Sequence, residues 1–244
     1  MRTFYSMPVS PWSECARWAL DHHRVEVRRV EYIPLLAEVQ LRFATGKVFA
    51  RISSPTLIDG DLVLAESLDI AKHAELIGQG STLFPGGVNG EVGPWNDRAQ
   101  RALSAGRTLY FSRLIDDPEA LREEVPGFVP GALRELSVPL VERTVVYLAS
   151  KYRAHAESTA QAQSALVDEL EHLEACLERG PYLLGEFSYA DIAMATVLHF
   201  VSPLSERHQT LARARREALR DATLAERFTR LTAWRDDLYD RQRK

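Results

Sequence analysis

Residues 54–67 combine polar side chains with backbone signals that could hold a small polar ligand. Ser54-Pro55 opens an apolar run, and Glu66-Ser67 precedes a helical spacing of apolar residues from Leu68 to Ala74. Free N–H groups and the positive dipole end of that helix would favour a carboxylate. An X-Pro bond at a tight strand start can be held cis, which would turn the Ser54 backbone toward the ligand. An ordinary hairpin, followed by a helix that Ser67 caps, accounts for the same residues equally well.

The elements that must position these groups are predicted by turn residues and apolar spacing. Asp59-Gly60 stands between the apolar runs 56–58 and 62–64, which predicts a β-hairpin. Residues 3–7 form a short β-type run, and a helical pattern follows Pro11. Val25 to Tyr32 predicts a second strand, and residues 35–45 a helical connection. Residues 1–78 therefore predict a β-α-β-α-β-β-α domain with a mixed sheet.

The rest of the chain predicts an all-helical domain. Gly, Pro, Ser and Asn dominate residues 78–93, so we expect a linker at 79–93. Helical spacing then covers residues 94–116, 132–155, 157–179, 188–202, 206–220 and 223–241. Ser188, with Asp191 three residues later, has the spacing of a capping box. The predicted fold class is α/β plus all-α, with domains at 1–78 and 94–244.

Composition excludes several classes of protein. With 244 residues, 45% hydrophobic and 26% charged, the chain can bury a substantial core. A net charge of −4 and a pI near 6.0 give no general attraction to nucleic acid or to an anionic membrane. Cys15 and Cys176 lie far apart without metal-ligand spacing, so neither a disulfide framework nor a metal site is expected. The absence of a signal peptide and of a long apolar run predicts a cytoplasmic protein without a membrane segment.

Three segments together resemble the cytosolic glutathione transferase superfamily, over essentially the whole chain. They are residues 5–17 (Tyr-Ser-Met-Pro-Val-Ser-Pro-Trp-Ser-Glu-Cys-Ala-Arg), the hairpin at 54–67, and residues 182–193 (Tyr-Leu-Leu-Gly-Glu-Phe-Ser-Tyr-Ala-Asp-Ile-Ala). The first segment is similar to the loop of omega-, tau- and related bacterial classes. The resemblance implies a thioredoxin-like N-terminal domain, an all-helical C-terminal domain, and glutathione as co-substrate without a metal.

The resemblance implies that Ser10 is the catalytic residue, with the task of favouring the thiolate of glutathione. A hydroxyl that donates a hydrogen bond to sulfur stabilises the charged form, and the dipole of the following helix adds to this effect. Ser13 is the alternative if the loop is aligned differently. Ser10 before Pro11 also suits a purely structural helix cap. Cys15 is predicted to be a core residue, and thiol–disulfide exchange, which needs a cysteine at the Ser10 position, is not expected.

The resemblance also assigns contacts to glutathione along the hairpin. Ser54 and Pro55 would hold the cysteinyl part through the Ser54 backbone. Glu66 would pair with the γ-glutamyl ammonium group, while the Ser67 hydroxyl and N–H would bind the adjacent carboxylate.

The approach to Pro55 departs from the family pattern. Residues 49–53 intervene where the family keeps its Gly-Lys close to the proline, and Ser54 replaces an apolar residue. Lys47 or Arg51 could meet the glycyl carboxylate of glutathione, or could be exposed loop charges. Altered cofactor binding would begin in this segment.

The function implied is detoxification by conjugation of glutathione to a hydrophobic electrophile, in a homodimer. The electrophile pocket would lie between the domains, lined by Pro8, Val9, Trp12, Tyr110 and Phe111. Two alternatives stay open: a non-catalytic ligand-binding or interaction protein with the same fold, and a glutathione-dependent peroxidase or isomerase that uses the same serine.

Overall fold

A small mixed sheet forms the N-terminal part of the protein. The structure, a computed structural model, describes residues 1–32, 54–88, 90–126, 129–152 and 159–243. The strands are β1 (Thr3–Ser6), β2 (Arg28–Glu31), β3 (Thr56–Asp59) and β4 (Leu62–Leu64), in the order β2-β1-β3-β4. β1 runs parallel to β2, and the other two pairs are antiparallel. The predicted mixed sheet is confirmed, while the helical connection predicted at 35–45 lies outside the described residues.

β3 and β4 form the hairpin that Asp59-Gly60 predicts. Asp59 pairs with Leu62, so Gly60 and Asp61 make a two-residue loop. Gly60 has a φ of +60°, a left-handed conformation that glycine adopts without the Cβ clash of other residues. Because the turn sets the register of the pair, it also sets where Pro55 and Glu66 lie at the open end of the hairpin, opposite the turn.

Two helices pack on the sheet and against each other, α1 (Pro11–His22) and α2 (Ser67–Ile77). The core between them and the strands unites Phe4, Leu20, Leu57 and Ile70, all of them fully buried. Burial of such side chains is the main favourable term in folding, at about 1.5–3 kcal/mol for each large apolar side chain. This packing fixes the N-termini of both helices, where the polar candidates of the sequence lie.

The remainder of the described chain is helical and contains no strand, as the sequence predicts. Its helices are α3 (Val92–Asp116), α4 (Pro118–Glu123), α5 (Gly131–Tyr152), α6 (Thr159–Leu177), α7 (Tyr189–Val197), α8 (Arg213–Leu219), α9 (Ala222–Arg227) and α10 (Thr229–Gln242), with a 3₁₀ turn at Leu198–Phe200.

The prediction of a helix at 206–220 is wrong in its first half, since α8 begins at Arg213. The guanidinium group of Arg216 donates to two carbonyl groups of the preceding loop, at 2.8 and 3.3 Å, and so stabilises a non-helical backbone there. The carboxylate of Glu123 accepts from the N–H groups of Ala214 and Arg215 at 3.2 and 2.6 Å. These distant partners decide where the helix starts, and local spacing could not predict them.

Two other helices differ from the prediction. Residues 223–241 form two helices because Phe228, whose side chain is fully buried, leaves the helical conformation at φ −107° and ψ 39°. α4 lies between the predicted helical segments 94–116 and 132–155, where the spacing predicts no helix. The Asp117 carboxylate caps it by accepting from the N–H groups of Glu119 and Ala120 at 2.9 and 3.2 Å, and proline suits the first helical position.

The chain forms two compact units that differ in their secondary structure. One comprises Met1–Asn96, Tyr182–Thr196 and Asp240–Lys244, and the other Asp97–Pro181 and Val197–Tyr239. The domain bounds 1–78 and 94–244 stay a prediction. Within the described residues, the helices lack the combination of length and hydropathy that a membrane span requires.

Candidate functional site

Ser10 lies at the start of α1, where its side chain caps the helix. Its backbone is extended, at φ −80° and ψ 121°, and its Oγ accepts a long hydrogen bond of 3.4 Å from the N–H of Ser13. Pro11 occupies the first helical position. Capping uses the Ser10 oxygen as an acceptor, so the hydroxyl hydrogen stays available to donate to another group. The capping role and a donor role are therefore compatible.

Ser13, the alternative catalytic residue, is completely buried. Its Oγ accepts from the N–H of Met7 at 3.1 Å and lies 2.9 Å from the Oγ of Ser54. The Met7 N–H also donates to the Ser54 Oγ at 3.0 Å. The structure thus brings two predicted site residues, 41 positions apart, into one hydrogen-bonded group.

The Ser54-Pro55 peptide bond is cis. Ser54 is half-buried, and Pro55, directly before β3, is buried. The sequence predicted that a proline at this place could be held cis. Lys47 and Arg51, the two candidates for the glycyl carboxylate, lie outside the described residues.

Glu66 and Ser67 lie at the start of α2, with Glu66 as the N-cap residue. The Glu66 side chain makes no capping hydrogen bond, and within the described residues neither Glu66 nor Asp69 has a cationic partner. Partial burial, and secondarily the charge of Asp69, raise the pKa of Glu66. Unpaired acids beside the free N–H groups of a first turn can bind a group that carries both an ammonium and a carboxylate, such as the α-amino acid end of a peptide.

The side chain of Ser67 belongs to a buried polar cluster that also contains Tyr189 and Cys15. The Ser67 side chain is 1% exposed, and Tyr189, whose hydroxyl adjoins both Ser67 and Cys15, is fully buried. Neither hydroxyl reaches hydrogen-bonding geometry with a described residue. Burial raises the pKa of the Cys15 thiol to about 12, although the hydroxyl of Thr196 lies 3.1 Å from its sulfur. Cys15 is therefore a protonated core residue, as the sequence predicts, and a poor nucleophile.

The side chains predicted to line the electrophile pocket differ in their exposure. Pro8 is exposed, and Val9 and Trp12 are half-buried around the start of α1. On α3, Phe111 is half-buried, whereas Tyr110 is 8% exposed and donates from its hydroxyl to Glu124 at 3.0 Å. That hydrogen bond satisfies the polar atom of Tyr110 within the helical unit, and the assignment of both residues to a pocket stays a prediction.

One half of the predicted capping box forms at the start of α7: the Asp191 carboxylate reaches back to Ser188, whose hydroxyl donates to it instead of accepting from the Asp191 N–H. One oxygen of Asp191 accepts from the N–H and the hydroxyl of Ser188, at 2.9 and 2.8 Å. The other oxygen accepts from the N–H of Leu183 at 2.9 Å. Burial nevertheless raises the pKa of Asp191 to about 6, since the hydrogen bonds offset the loss of hydration only in part. The hydrogen bonds to Asp191 order the chain from Leu183 to Asp191, which includes Tyr189.

Sequence reasoning missed two features near the candidate site. One is the link between Ser13 and Ser54; its only signal is the polar residue at a position where an apolar one was expected. The other is Arg243, which donates to Glu14 and Asp21 of α1 at 2.8 and 2.7 Å. No group of three or more His, Cys, Asp or Glu side chains suited to a metal ion occurs in the part of the chain that the structure describes.

The four-stranded mixed sheet with helices, followed by an all-helical part, is the two-part fold of glutathione transferases. Residues 4–80 match the sequence profile described as "Glutathione S-transferase, N-terminal domain", and residues 156–237 match "Glutathione S-transferase, C-terminal domain". The two matches together cover more than half of the chain. This protein belongs to the glutathione S-transferase family, and the predicted resemblance is confirmed.

Solved structures share the fold along the whole chain. A glutathione S-transferase from Methylobacillus flagellatus, with glutathione bound, is 16% identical with a TM-score of 0.60, covering 99% of this chain and 96% of that chain. Beta-etherase LigF from Sphingobium sp. strain SYK-6 is 16% identical with a TM-score of 0.63, over 98% and 95%. Glutathione transferase F7 from Populus trichocarpa is 18% identical with a TM-score of 0.57, over 99% and 94%. No curated protein matches this chain in sequence.

Proposed function

We propose that the protein is an enzyme that conjugates glutathione to a hydrophobic electrophile. The observation that carries this proposal is the pair of polar helix starts, Ser10 at the start of α1 and Glu66-Ser67 at the start of α2, in a member of the glutathione S-transferase family. In the reaction, the thiol of glutathione gives its proton to water, and the sulfur forms a bond to the electrophilic carbon. With an aryl halide, the halide leaves with the bonding electron pair.

Ser10 is the proposed donor to the glutathione sulfur. Its hydroxyl hydrogen is not used by the capping bond to Ser13 N–H. A hydrogen bond to the thiolate, together with the dipole of α1, lowers the pKa of the bound thiol and so increases the nucleophilic fraction at neutral pH. The enzyme needs no general base for this step, because water accepts the proton.

Glu66 and Ser67 are the proposed contacts for the γ-glutamyl end. The Glu66 carboxylate would pair with the ammonium group, and the N–H groups of the first turn of α2 would bind the carboxylate. The backbone at Ser54-Pro55 is the proposed contact for the cysteinyl part of glutathione. Lys47 or Arg51 is the proposed contact for its glycyl carboxylate. Pro8, Val9 and Trp12 are proposed to contact the electrophile.

A non-catalytic glutathione-binding protein is the second candidate function. It is favoured by one observation, the hydrogen bond from the Ser13 N–H, which fixes the position of the Ser10 oxygen although it leaves the hydroxyl hydrogen unused. If that fixed position lies out of reach of the glutathione sulfur, glutathione would bind without activation of its sulfur.

Retention on immobilised glutathione, followed by a conjugation assay with a generic aromatic halide, separates these functions. The enzyme is expected to be retained and to increase the rate of conjugation above the uncatalysed reaction. Retention without turnover would favour the binding protein. The absence of both retention and turnover would contradict both functions.

We also propose that the protein is a homodimer, which covers exposed apolar side chains of α5. Leu133, Leu136, Leu140 and Tyr147 follow helical spacing and are 50%, 76%, 63% and 50% exposed. An apolar stripe of this kind is unusual on a monomer. Sedimentation of wild type and of Leu136→Glu/Leu140→Glu tests the proposal: the double variant should lower the sedimenting mass to that of one chain, and an unchanged mass would contradict it.

A further inference from the structure

The backbone of Met7, in the loop that leads to Ser10, is held by hydrogen bonds to both its N–H and its carbonyl group. Its N–H donates to the hydroxyl oxygens of Ser13 and Ser54 at 3.1 and 3.0 Å. Its carbonyl oxygen accepts from the N–H of Ser10 at 3.2 Å and from the guanidinium group of Arg17 at 3.3 Å. The position of this loop therefore depends on side chains of α1 and on Ser54, which comes from a different part of the chain.

The two serines also bind each other, with 2.9 Å between their Oγ atoms. Ser13 is completely buried and Ser54 is half-buried. Loss of one hydroxyl would leave the other with one partner fewer in a site that water reaches poorly, so each depends on the other. The polar residue at Ser54, a departure from the apolar residue of the family pattern, is thus matched by a polar residue at Ser13.

We infer that Ser13 and Ser54 act as one positioning pair for the cysteinyl part of bound glutathione. This inference rests on the proposed function, in which the Ser54 backbone holds the cysteinyl part and Ser10 donates to its sulfur. The Ser13–Ser54 pair binds Met7 in the loop that leads to Ser10. It therefore sets the distance between the backbone of Ser54 and the hydroxyl of Ser10. Ser13 is in this way a positioning residue and not a catalytic one, because its buried hydroxyl acts through the loop.

Four variants test the pair, with a serine elsewhere in the same compact unit as control. Ser13→Ala and Ser54→Ala each remove one hydroxyl, and the double variant removes both. Ser54→Thr keeps the hydroxyl. Ser81→Ala is the control, since Ser81 is exposed and its hydroxyl contacts a histidine ring nitrogen at 3.2 Å.

The measurements are the dissociation constant of glutathione by calorimetry, the pH dependence of conjugation, and the free energy of unfolding in urea. Each single variant is expected to weaken glutathione binding about three- to tenfold, the range of one hydrogen bond. It should also move the apparent pKa of the bound thiol upward, because the sulfur loses its alignment with Ser10. The double variant should weaken binding no more than the worse single variant, since both hydroxyls serve one N–H group. Ser54→Thr, which keeps the hydroxyl, should recover most of the affinity that Ser54→Ala loses, and Ser81→Ala should behave like wild type.

Three results would overturn the inference. Variants that are less stable, yet keep the wild-type dissociation constant and pH profile, would leave the pair with a structural role only. Effects that multiply in the double variant would show that the serines act independently. Ser54→Thr behaving like Ser54→Ala would exclude the hydroxyl as the cause. Failure of the wild type to bind glutathione is a separate result, visible before any variant is made, and would remove the proposed function itself.

Discussion

Replacement of Glu66 by glutamine isolates the charge that we propose for recognition of the γ-glutamyl ammonium group. Glutamine keeps the size of the side chain and one acceptor oxygen but removes the negative charge. A hydrogen bond to a charged group contributes about 1.5–3 kcal/mol. Glu66, although partly buried, stays accessible to water in the free protein. Water therefore screens part of this interaction, and we expect the hydrogen bond to contribute about 1–2 kcal/mol. Glu66→Gln should therefore weaken glutathione binding about 5- to 30-fold.

Calorimetry with two ligands identifies the partner of this charge. Glu66→Gln should weaken the binding of glutathione but not of a deaminated analogue that lacks the γ-glutamyl ammonium group. Asp61→Asn, which neutralises an exposed acid in the hairpin loop, is the matched control and should bind both ligands like wild type. Equal losses for both ligands in Glu66→Gln, or no loss for either, would refute the assignment.

The pH dependence of binding provides an independent check on Glu66. Partial burial and Asp69 raise the pKa of Glu66 above its ordinary value of 4.5 in the free protein, while a bound ammonium group would lower it. Only the ionised carboxylate pairs with the ligand, so affinity should be constant well above the raised pKa and should fall as the pH drops through it. Glu66→Gln should remove this part of the pH dependence, and a variant that keeps it would point to another group.

Three further predictions test other parts of the structure. Ser10→Ala should raise the pKa of bound glutathione and slow conjugation roughly tenfold below neutral pH, and an unchanged pH–rate profile would remove Ser10 from its role. Asp191→Ala leaves two backbone N–H groups and a hydroxyl unpaired and should lower the free energy of unfolding in urea by about 2–3 kcal/mol; a loss below about 0.5 kcal/mol would contradict this. Hydrogen bonds from His73 and Arg2 lower the pKa of Asp59 from 3.8, so its stabilisation is present above that pH and lost as the pH falls through the lowered pKa. Asp59→Asn should accordingly be less stable than wild type near neutral pH, and the difference in stability should close as the pH falls through the lowered pKa of Asp59; a difference that persists in acid would contradict the ion pairing.

Local signals predicted those parts of the fold that depend on a few adjacent residues. Asp59-Gly60 between two apolar runs predicts a hairpin because few turns fit its loop, and Gly60 has the left-handed conformation that such a turn requires. The spacing of apolar residues predicts α1 and α2 because a helix buries every third or fourth side chain. Ser188 and Asp191 predict the start of α7 because both partners lie within one turn.

Contacts between distant residues explain what the sequence could not predict. α8 begins seven residues later than its spacing suggests because Glu123, far along the chain, caps it. The hydroxyls of Ser13 and Ser54 meet only after β3 pairs with β1. Arg243 binds an acid on α1 that is 229 residues away, so charge pattern alone could not indicate its partner.

The pKa of the bound glutathione thiol is the measurement that tests the proposed function most directly. Ultraviolet difference spectra of the complex, recorded across a pH series, report the thiolate itself and need no electrophile. We expect an apparent pKa clearly below the value of about 8.5 for a free thiol, and a return toward that value in Ser10→Ala. Binding of glutathione with an unshifted thiol pKa in the wild type would contradict a transferase mechanism and would leave a glutathione-binding protein.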